Sequence, residues 1–295
     1  MSQLAHLTSA HPRFDTRIFH KMCRSLANDD YSVNLVVADG LGDETLDSVK
    51  IIDAGASRGR FDRIRNAPGR VFTKAVQLDA DIYHLHDPEL IPIGLKLKRF
   101  GKRVVFDSHE DVPQQMLSKP YLNRPIRWGI AQALRSYEAW ACKQFDGVIA
   151  ATPFIRDKFL AINPNSIDIN NFPLLDELAS EASWAQKQPV VCYVGGIGKI
   201  RGIVEVTQAM GRVQSMARLQ LAGQISERDL HQRVQVLPGW ERVDALGFVD
   251  RRGVRDVLAR SVGGLVTFLP APNHIDAQPN KMFEYMSAGI PVIAS

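Results

Sequence analysis

The sequence predicts an α/β protein with two doubly wound domains, each built on a parallel β-sheet. Short apolar runs bounded by Gly, Asp or Ser recur along the chain, as expected of strands that are buried on both faces. Amphipathic segments separate these runs, and this alternation is typical of parallel sheets with helices on both faces. At 295 residues, 45% of them hydrophobic, the chain is long and apolar enough for two cores.

The predicted strands fall into two groups along the chain. The first group consists of residues 4–8, 33–38, 49–52, 81–85, 103–107, 147–150 and 166–169. The second group consists of residues 189–195, 219–222, 243–246, 264–268 and 291–294. Asn171-Phe172-Pro173 and a polar stretch break the pattern between the groups. We therefore predict an N-terminal domain at 1–172, a linker at 173–188 and a C-terminal domain at 189–295.

Two predicted helices carry the clearest apolar periodicity. One covers residues 16–28, and its apolar side chains repeat at helical spacing. The other follows Pro120, and its apolar residues recur at intervals of three and four, which places them on one face of an amphipathic helix. That face consists of Ile126, Ile130, Ala133, Leu134, Tyr137 and Trp140.

The last residues of the sequence predict a strand that leaves a helix. A doubly wound domain normally continues with another helix that covers such a strand. We therefore expect the second domain to be incomplete at Ser295, which would affect activity.

Composition narrows the class of partner. The formal charge of +4 and the pI of about 9.0 suit a partner that carries phosphate, such as a nucleotide, an anionic membrane surface or nucleic acid. Nucleic acid is disfavoured because the basic residues are spread along the chain without a long run. Cys23, Cys142 and Cys192 are scattered, which argues against disulfides or zinc and favours a cytoplasmic location. The sequence contains no apolar stretch of about 18 residues, the length that would predict a membrane span.

A glycine cluster follows the first strand of the second domain. The segment contains Gly195, Gly196, Lys199 and Arg201, and a helix is predicted to begin shortly afterwards. Free backbone N–H groups at such a turn bind phosphate, and the two basic side chains add full positive charges. The spacing matches neither G-x-G-x-x-G nor a Walker loop, so a glycine-rich turn with solvent-facing bases is the alternative.

A second candidate segment lies at the start of a helix near the end of the chain. Asn280 is predicted to cap this helix, and Gly289 ends it. Glu284 can accept hydrogen bonds from sugar or ribose hydroxyls, while Lys281 can face phosphate. The alternative is an ordinary surface helix whose glutamate stabilises the helix dipole.

Polar side chains also follow two strands of the first domain. His86 and Asp87 end one strand, and His109 and Glu110 follow the next. In open α/β sheets ligands bind beyond the carboxyl ends of the strands, so these groups predict a polar wall of a binding site. No ligand spacing supports a metal site here.

With these motifs in place, the sequence resembles glycosyltransferase family 4, the retaining GT-B enzymes common in bacterial polysaccharide assembly. The resemblance rests on the loop at 194–202, the segment at 279–295, His86-Asp87, the stretch at 107–111 and Asn171. It implies two Rossmann-like domains that face each other across a cleft. The C-terminal domain would hold a nucleoside diphosphate sugar, and the N-terminal domain would hold the acceptor.

The resemblance also implies roles for individual residues. Arg201 would neutralise the donor diphosphate, Glu284 would bind the ribose, and His109 would lie near the transferred sugar. The implied catalytic pair is His109 and Asp276. The implied donor-binding set is Gly195, Gly196, Lys199, Arg201, Asn280, Lys281 and Glu284. The implied acceptor-side set is His11, Asp15, Arg17, His86, Asp87 and Glu110.

Two positions depart from the family pattern. Gly196 stands where many members carry a second arginine that binds diphosphate, so Lys199 or Lys281 would replace it. Asp276 stands where the first glutamate of the E-x7-E pattern is expected, which bears on how the donor sugar is held.

The implied reaction is transfer of a glycosyl group to a saccharide or polyprenyl-linked acceptor, with retention and with neither cofactor nor obligatory metal. The mild basicity is compatible with peripheral contact at the inner face of the cytoplasmic membrane. The alternatives are a non-hydrolysing nucleotide-sugar epimerase and a truncated fragment that binds without turnover. A dinucleotide oxidoreductase is disfavoured because no strand followed by G-x-G-x-x-G opens the chain.

Overall fold

The computed structural model describes residues 2–117, 122–175, 177–179, 183–225, 227–271, 274–275 and 277–295. The chain folds into two compact units, Met1–Asn171 (unit 1) and Phe172–Ser295 (unit 2). Leu178, which lies in the stretch predicted as a linker, is buried in the core of unit 2.

Unit 1 is built on one sheet with the order β3-β4-β2-β1-β5-β6-β7-β8. Its strands are β1 Gln3–Leu7, β2 Ser32–Val37, β3 Glu44–Leu46, β4 Val49–Asp53, β5 Ile82–Leu85, β6 Arg103–Ser108, β7 Gly147–Ala150 and β8 Ser166–Asp168. All these strands pair in parallel except the edge strand β3, which is antiparallel to β4. The strand order reverses between β1 and β5, which is where open α/β sheets bind ligands.

Helices cover both faces of this sheet. They are α1 Arg24–Asn28, α2 Arg60–Arg65, α3 Ala67–Leu78, α4 Ile91–Arg99, α5 Val112–Leu117, α6 Arg124–Cys142 and α7 Pro153–Leu160. A π-helix, Thr16–Cys23, runs directly into α1. Ile18 and Phe19 of this π-helix are buried against β2 and β4.

Unit 2 repeats the design with the strand order β11-β10-β9-β12-β13, all parallel. Its strands are β9 Val190–Val194, β10 Arg218–Ala222, β11 Val243–Gly247, β12 Gly263–Val266 and β13 Val292–Ala294. Its helices are α8 Ile203–Met210, α9 Arg228–Gln235, α10 Arg251–Arg260 and α11 Asn280–Ser287. Here the order reverses between β9 and β12, so the glycine loop after β9 lies at this switch point.

The predicted fold class is confirmed, since both units have a doubly wound parallel sheet. Every predicted strand is present, with bounds that differ by two residues at most. Strand β3 was not predicted, because three exposed residues give no apolar signal. The predicted helix at 16–28 is a π-helix followed by a short α-helix. Helix α11 begins at Asn280, and Pro279 takes the cap position that was predicted for Asn280.

The amphipathic helix predicted after Pro120 is α6, and its apolar face is turned to solvent. Ile126, Ile130, Tyr137 and Trp140 are exposed. The helix packs instead through its small residues and through one buried glutamate, a set that consists of Ala131, Glu138, Ala141 and Cys142. Periodicity shows that a helix has an apolar face, but it does not show which face meets the core.

A tyrosine anchors α11 beneath the sheet of unit 2. The hydroxyl of the fully buried Tyr285 accepts a hydrogen bond from the Val194 N–H (3.0 Å) at the end of β9. Its ring lies flat against Gly264 of β12, where no side chain would fit. The start of α11 is therefore fixed next to the glycine loop.

Gly264→Ala tests this close approach. A Cβ at Gly264 would lie 2.3 Å from the Tyr285 ring, so we expect the free energy of unfolding to fall by about 1–3 kcal/mol. Gly129→Ala is the matched control, because Gly129 lies within α6 with open space around its Cβ position. That change should increase stability by about 0.5–1 kcal/mol. Urea denaturation followed by circular dichroism measures both, and equal stabilities would contradict the packing.

Candidate functional site

Asp107, at the end of β6, is the centre of the polar site of unit 1. Its carboxylate is fully buried and accepts two hydrogen bonds from Arg17, at 3.1 and 2.8 Å. His109 Nε2 lies 3.0 Å and His86 Nδ1 lies 3.3 Å from the same carboxylate. Burial alone would raise the pKa of Asp107, but the hydrogen bonds from His109 and His86 and the charge of Arg17 hold it well below its usual range. Asp107 is therefore a fixed anion that orients His109.

A stack of histidines lies beside Asp107 on the same face of the sheet. The rings of His84 and His86 are 4.4 Å apart between centroids, and His6 Nδ1 lies 2.9 Å from His86 Nε2. Burial lowers the pKa of His6 to about 3, and it lowers the pKa values of His84 and His86 as well. The stack is therefore neutral near pH 7.

Asp87 shapes the loop that follows β1. Its Oδ2 accepts hydrogen bonds from the Thr8 hydroxyl (2.8 Å) and from the backbone N–H groups of Ser9 (2.6 Å) and Ala10 (3.2 Å). His11 Nε2 lies 3.4 Å from its Oδ1. Asp87 therefore provides the hydrogen-bond acceptor for backbone N–H groups of this turn that would otherwise be unpaired.

Asp15 caps the π-helix and holds His11 from the other side. It accepts hydrogen bonds from the backbone N–H groups of Arg17 (2.8 Å) and Ile18 (2.9 Å), and His11 Nδ1 lies 3.3 Å away. Burial would raise the pKa of Asp15, but the hydrogen bonds from His11 and Ile18 lower it to about 2. The pKa of His11 is raised by its carboxylate neighbours, against the effect of burial.

The structure thus brings most of the predicted residues of unit 1 into one network. Its members are His11, Asp15, Arg17, His86, Asp87 and His109. Glu110 is outside this network, because its exposed carboxylate accepts a hydrogen bond from Gln115 instead.

Two groups of three side chains in unit 1 have the composition of metal ligands. They are His6, His84 and His86, and His86, Asp107 and His109. The second group is already engaged, since Asp107 is paired with Arg17 and both histidines. The rings of the first group are stacked, whereas ligands of one ion would radiate from it. The geometry fits a hydrogen-bonded network.

A cavity of about 410 Å³ opens next to the loop after β1. Its walls are small side chains and backbone, with Asp39 and Arg63 as the charged groups. Ser9 lines the cavity and donates a hydrogen bond to Asp87, so the cavity adjoins the network.

The candidate site of unit 2 is the glycine loop after β9. Gly195 has a positive φ of 104°, which turns the chain sharply away from the strand. Lys281 extends from the start of α11 into this loop, and its Nζ lies 3.4 Å from the centre of the Tyr193 ring. A Cβ at Gly195 would be only 3.9 Å from that Nζ. Gly196 faces open space, so its backbone is accessible.

Three basic side chains of this region have no carboxylate partner among the residues that the structure describes. Within the described residues, neither Lys199, Arg201 nor Lys281 forms an ion pair. The guanidinium of Arg201 lies over the Phe268 ring at 4.5 Å. Burial, and then the charge of Arg201, lower the pKa of Lys281 to about 7. Unpaired and partly desolvated cations are costly, so the arrangement favours an anion.

Glu284 lies one turn further along α11 and is paired with an arginine. Arg251, at the start of α10, lies 2.5 Å from its Oε1 and also contacts Glu177 at 2.7 Å. Asn280 is exposed at the first position of α11. The predicted catalytic residue Asp276 lies outside the described residues.

Comparisons with known proteins identify the family. A model described as Glycosyltransferase Family 4 matches residues 16–169, which is more than half of the chain. The chain belongs to glycosyltransferase family 4. A second model, described as Glycosyl transferases group 1, matches residues 188–295. A search of curated proteins finds no significant match.

Solved structures show that this family member has the GT-B fold. Sucrose-phosphate synthase from Thermosynechococcus elongatus has a TM-score of 0.77 at 17% identity, over 100% of this chain and 81% of that one. Anabaena HepE in complex with UDP and glucose has a TM-score of 0.71 at 14% identity, over 100% and 80%. Starch synthase IV from Arabidopsis thaliana, bound to ADP and acarbose, has a TM-score of 0.68 at 11% identity, over 99% and 82%.

Sequence reasoning did not single out two residues of this family 4 protein. Asp107 was read as the end of a strand, although a carboxylate closing an apolar run is a signal that a buried charge needs partners. Arg251 gave one weak signal, since a cation at a helix N-terminus opposes the helix dipole. Its partners are 33 and 74 positions away in the chain.

The stability of this family 4 protein should fall as the pH drops below about 6.5. Unfolded histidines take up protons near that pH, whereas burial keeps His6, His84 and His86 neutral in the fold. The unfolded state then binds more protons than the folded state. Each of these histidines therefore lowers the free energy of unfolding by about 1.4 kcal/mol per pH unit, between its pKa in the unfolded state and its pKa in the fold. The raised pKa of His11 offsets part of this loss.

Urea denaturation between about pH 7.5 and pH 5.5 measures this dependence. His84→Asn should reduce the slope of the free energy of unfolding against pH by the equivalent of about one proton. His231→Asn, at an exposed position of unit 2, should leave that slope unchanged. A stability that is constant over this range would contradict a neutral buried stack.

Proposed function

We propose that the chain transfers a glycosyl group from a nucleoside diphosphate sugar to a hydroxyl of a saccharide or lipid-linked saccharide, with retention at the anomeric carbon. The observation that carries the proposal is a set of three basic residues at the switch point of unit 2, Lys199, Arg201 and Lys281, which form no ion pair with any described residue. A diphosphate is the ligand that such a set with accessible loop amides suits best.

The same cations supply the chemistry of the first step. As the bond from the anomeric carbon to the diphosphate oxygen breaks, negative charge grows on the departing diphosphate and positive charge grows on the sugar. Arg201 and Lys281 are already in place to stabilise the departing charge, so no reorganisation is needed. In this scheme the protein side chains do what a metal ion does in other transferases.

Glu284 is proposed to accept hydrogen bonds from the ribose hydroxyls. Its pairing with Arg251 fixes its rotamer, which prepares it as an acceptor. Arg251 is held in turn by Glu177, so the carboxylate is shared between the arginine and an incoming ligand.

Unit 1 is proposed to serve the acceptor and the transferred sugar. His109 would contact the sugar, and its orientation is set by Asp107. The cavity beside Ser9 has the small, polar lining that a saccharide hydroxyl requires, and Arg63 would suit an acceptor that carries phosphate.

Thermal stabilisation by UDP, GDP, dTDP, ADP and NAD tests the donor site. A ligand that binds only the native state raises the melting temperature, so we expect one diphosphate nucleotide to do so selectively. Several bases are included because HepE is seen with UDP and starch synthase IV with ADP. No response to any nucleotide would contradict the proposal. A new sugar nucleotide formed without acceptor would identify an epimerase instead.

Arg201→Ala and Glu284→Ala should each lower turnover by at least about tenfold, because each removes an interaction with the donor in the transition state. Release of nucleoside diphosphate from the sugar nucleotide measures turnover. Arg212→Ala is the matched control, since Arg212 is an exposed arginine of the same unit. Unchanged turnover in a folded Arg201 or Glu284 variant would remove that residue from the site.

The affinity for the diphosphate nucleotide should decrease as the pH rises above about 7. The cationic form of Lys281 binds the diphosphate, and with a pKa of about 7 this lysine loses its proton over that range. The affinity then falls by up to about tenfold per pH unit, and binding takes up a proton. Isothermal titration calorimetry in buffers of different ionisation enthalpy measures both quantities.

Lys281→Arg should remove this pH dependence, because arginine stays charged. Lys199→Arg, at the exposed basic position of the same loop, should retain it. A wild-type affinity that does not change between about pH 7 and pH 9 would show that Lys281 stays protonated or does not contact the ligand.

A further inference from the structure

A cavity of about 280 Å³ opens in unit 2 beside the start of α10. It is lined by Glu177 and by three arginines of the first two turns of this helix, Arg251, Arg252 and Arg255. Arg255 lies three and four residues after the other two, so all three arginines belong to one side of α10. A cavity of this size suits a single flat ring system better than a whole nucleotide.

The cavity shares a side chain with the ribose site of the proposed function. Arg251 lies 2.5 Å from Glu284 Oε1, and it also lines the cavity. Glu284 in turn follows Lys281 by three residues on α11, the spacing of neighbouring turns. If Glu284 binds the ribose, as the proposed function has it, then Lys281, Glu284 and the cavity have the order of the diphosphate, ribose and base of one nucleotide.

The groups of the cavity that are open to a ligand are hydrogen-bond donors. Arg251 is engaged by Glu284 and Glu177. Both oxygens of Glu177 are engaged as well, since Oε1 accepts from Arg251 (2.8 Å) and Oε2 accepts from the Leu174 N–H (3.2 Å). Arg252 and Arg255 are exposed, and neither forms an ion pair or a side-chain hydrogen bond within the described part of the chain. Two guanidinium groups are therefore available to a ligand.

A guanidinium group selects among the nucleobases by geometry. It donates two parallel hydrogen bonds from a planar fork, which requires two acceptors side by side. Guanine presents O6 and N7 in this way. Adenine places its amino donor beside N7, and uracil places a carbon beside O4. Paired hydrogen bonds from one arginine to one base edge are therefore specific to guanine.

We propose that this cavity binds the guanine base of a GDP-sugar donor, and that Arg252 and Arg255 determine the specificity for that base. One guanidinium group donates to O6 and N7, and the other can lie against the face of the ring. Arg251 stays on Glu284 and positions the ribose acceptor. The diphosphate is bound separately, by the basic residues of the glycine loop.

Isothermal titration calorimetry of the full chain with GDP, IDP, UDP and ADP tests the proposal. We expect GDP to bind about tenfold or more tightly than UDP and ADP, because only guanine accepts both hydrogen bonds of the fork. IDP keeps O6 and N7 but lacks the amino group at C2, so its affinity should be close to that of GDP.

Replacing both arginines by lysine separates the fork from the charge. The double variant Arg252→Lys with Arg255→Lys keeps the net charge but cannot donate from a planar fork. Its affinity for GDP should fall about tenfold, while its affinities for UDP and ADP stay unchanged. The matched control is Arg212→Lys with Arg233→Lys, two exposed arginines of unit 2 outside the cavity, which should bind all four nucleotides like the wild type.

Three results would overturn the proposal while leaving the proposed glycosyl transfer intact. One is wild-type protein that binds UDP or ADP at least as tightly as GDP. Another is a preference for GDP that persists in the double-lysine variant, or that IDP does not share. The third is an equal loss of affinity for all four nucleotides in that variant, which would place the arginines on the ribose or the diphosphate. Absence of binding by every nucleotide would contradict the proposed function together with the base site.

Discussion

Parallel strands bring their carboxyl ends to one edge of a sheet, and both candidate sites follow from this constraint. In unit 1 the ends of β1, β5 and β6 bring Ser9, Asp87 and Asp107 together from three separate stretches of sequence. In unit 2 the ends of β9 and β12 meet beside the start of α11. The sheets position these groups, so the loops that carry them can be short.

The two units treat charge in opposite ways. In unit 1 the carboxylate of Asp107 is fully buried, and Arg17, His86 and His109 together compensate it. Such a closed network is costly to break, because the loss of one partner leaves a buried charge unpaired. In unit 2 the cations of the glycine loop are left without compensation among the described residues. The first arrangement fixes the geometry of the site. The second favours the binding of an anionic ligand, because the ligand would supply the negative charge that these cations lack.

The strands could be predicted from the sequence, whereas contacts between residues far apart in the chain could not. Strands such as β6 could be predicted because burial on both faces requires a continuous apolar run, which is visible locally. The face of α6 that meets the core could not be predicted, since apolar residues at helical spacing look the same whether they face a core or solvent. Likewise Lys281 could be selected from its motif, whereas its lowered pKa depends on burial and on the charge of Arg201, which only folding brings to it.

The π-helix at Thr16–Cys23 has a consequence for how this protein tolerates changes in length. Its first turn is wide, with the N–H groups of both Phe19 and His20 bonded to the carbonyl of Asp15. A π-turn of this kind accommodates one more residue than an α-turn. Deletion of a single codon here would tighten the helix and rotate the position of Arg17 by about 100°. Insertions and deletions should therefore be rarer in this segment than in the surface loops, although no sequence motif marks it.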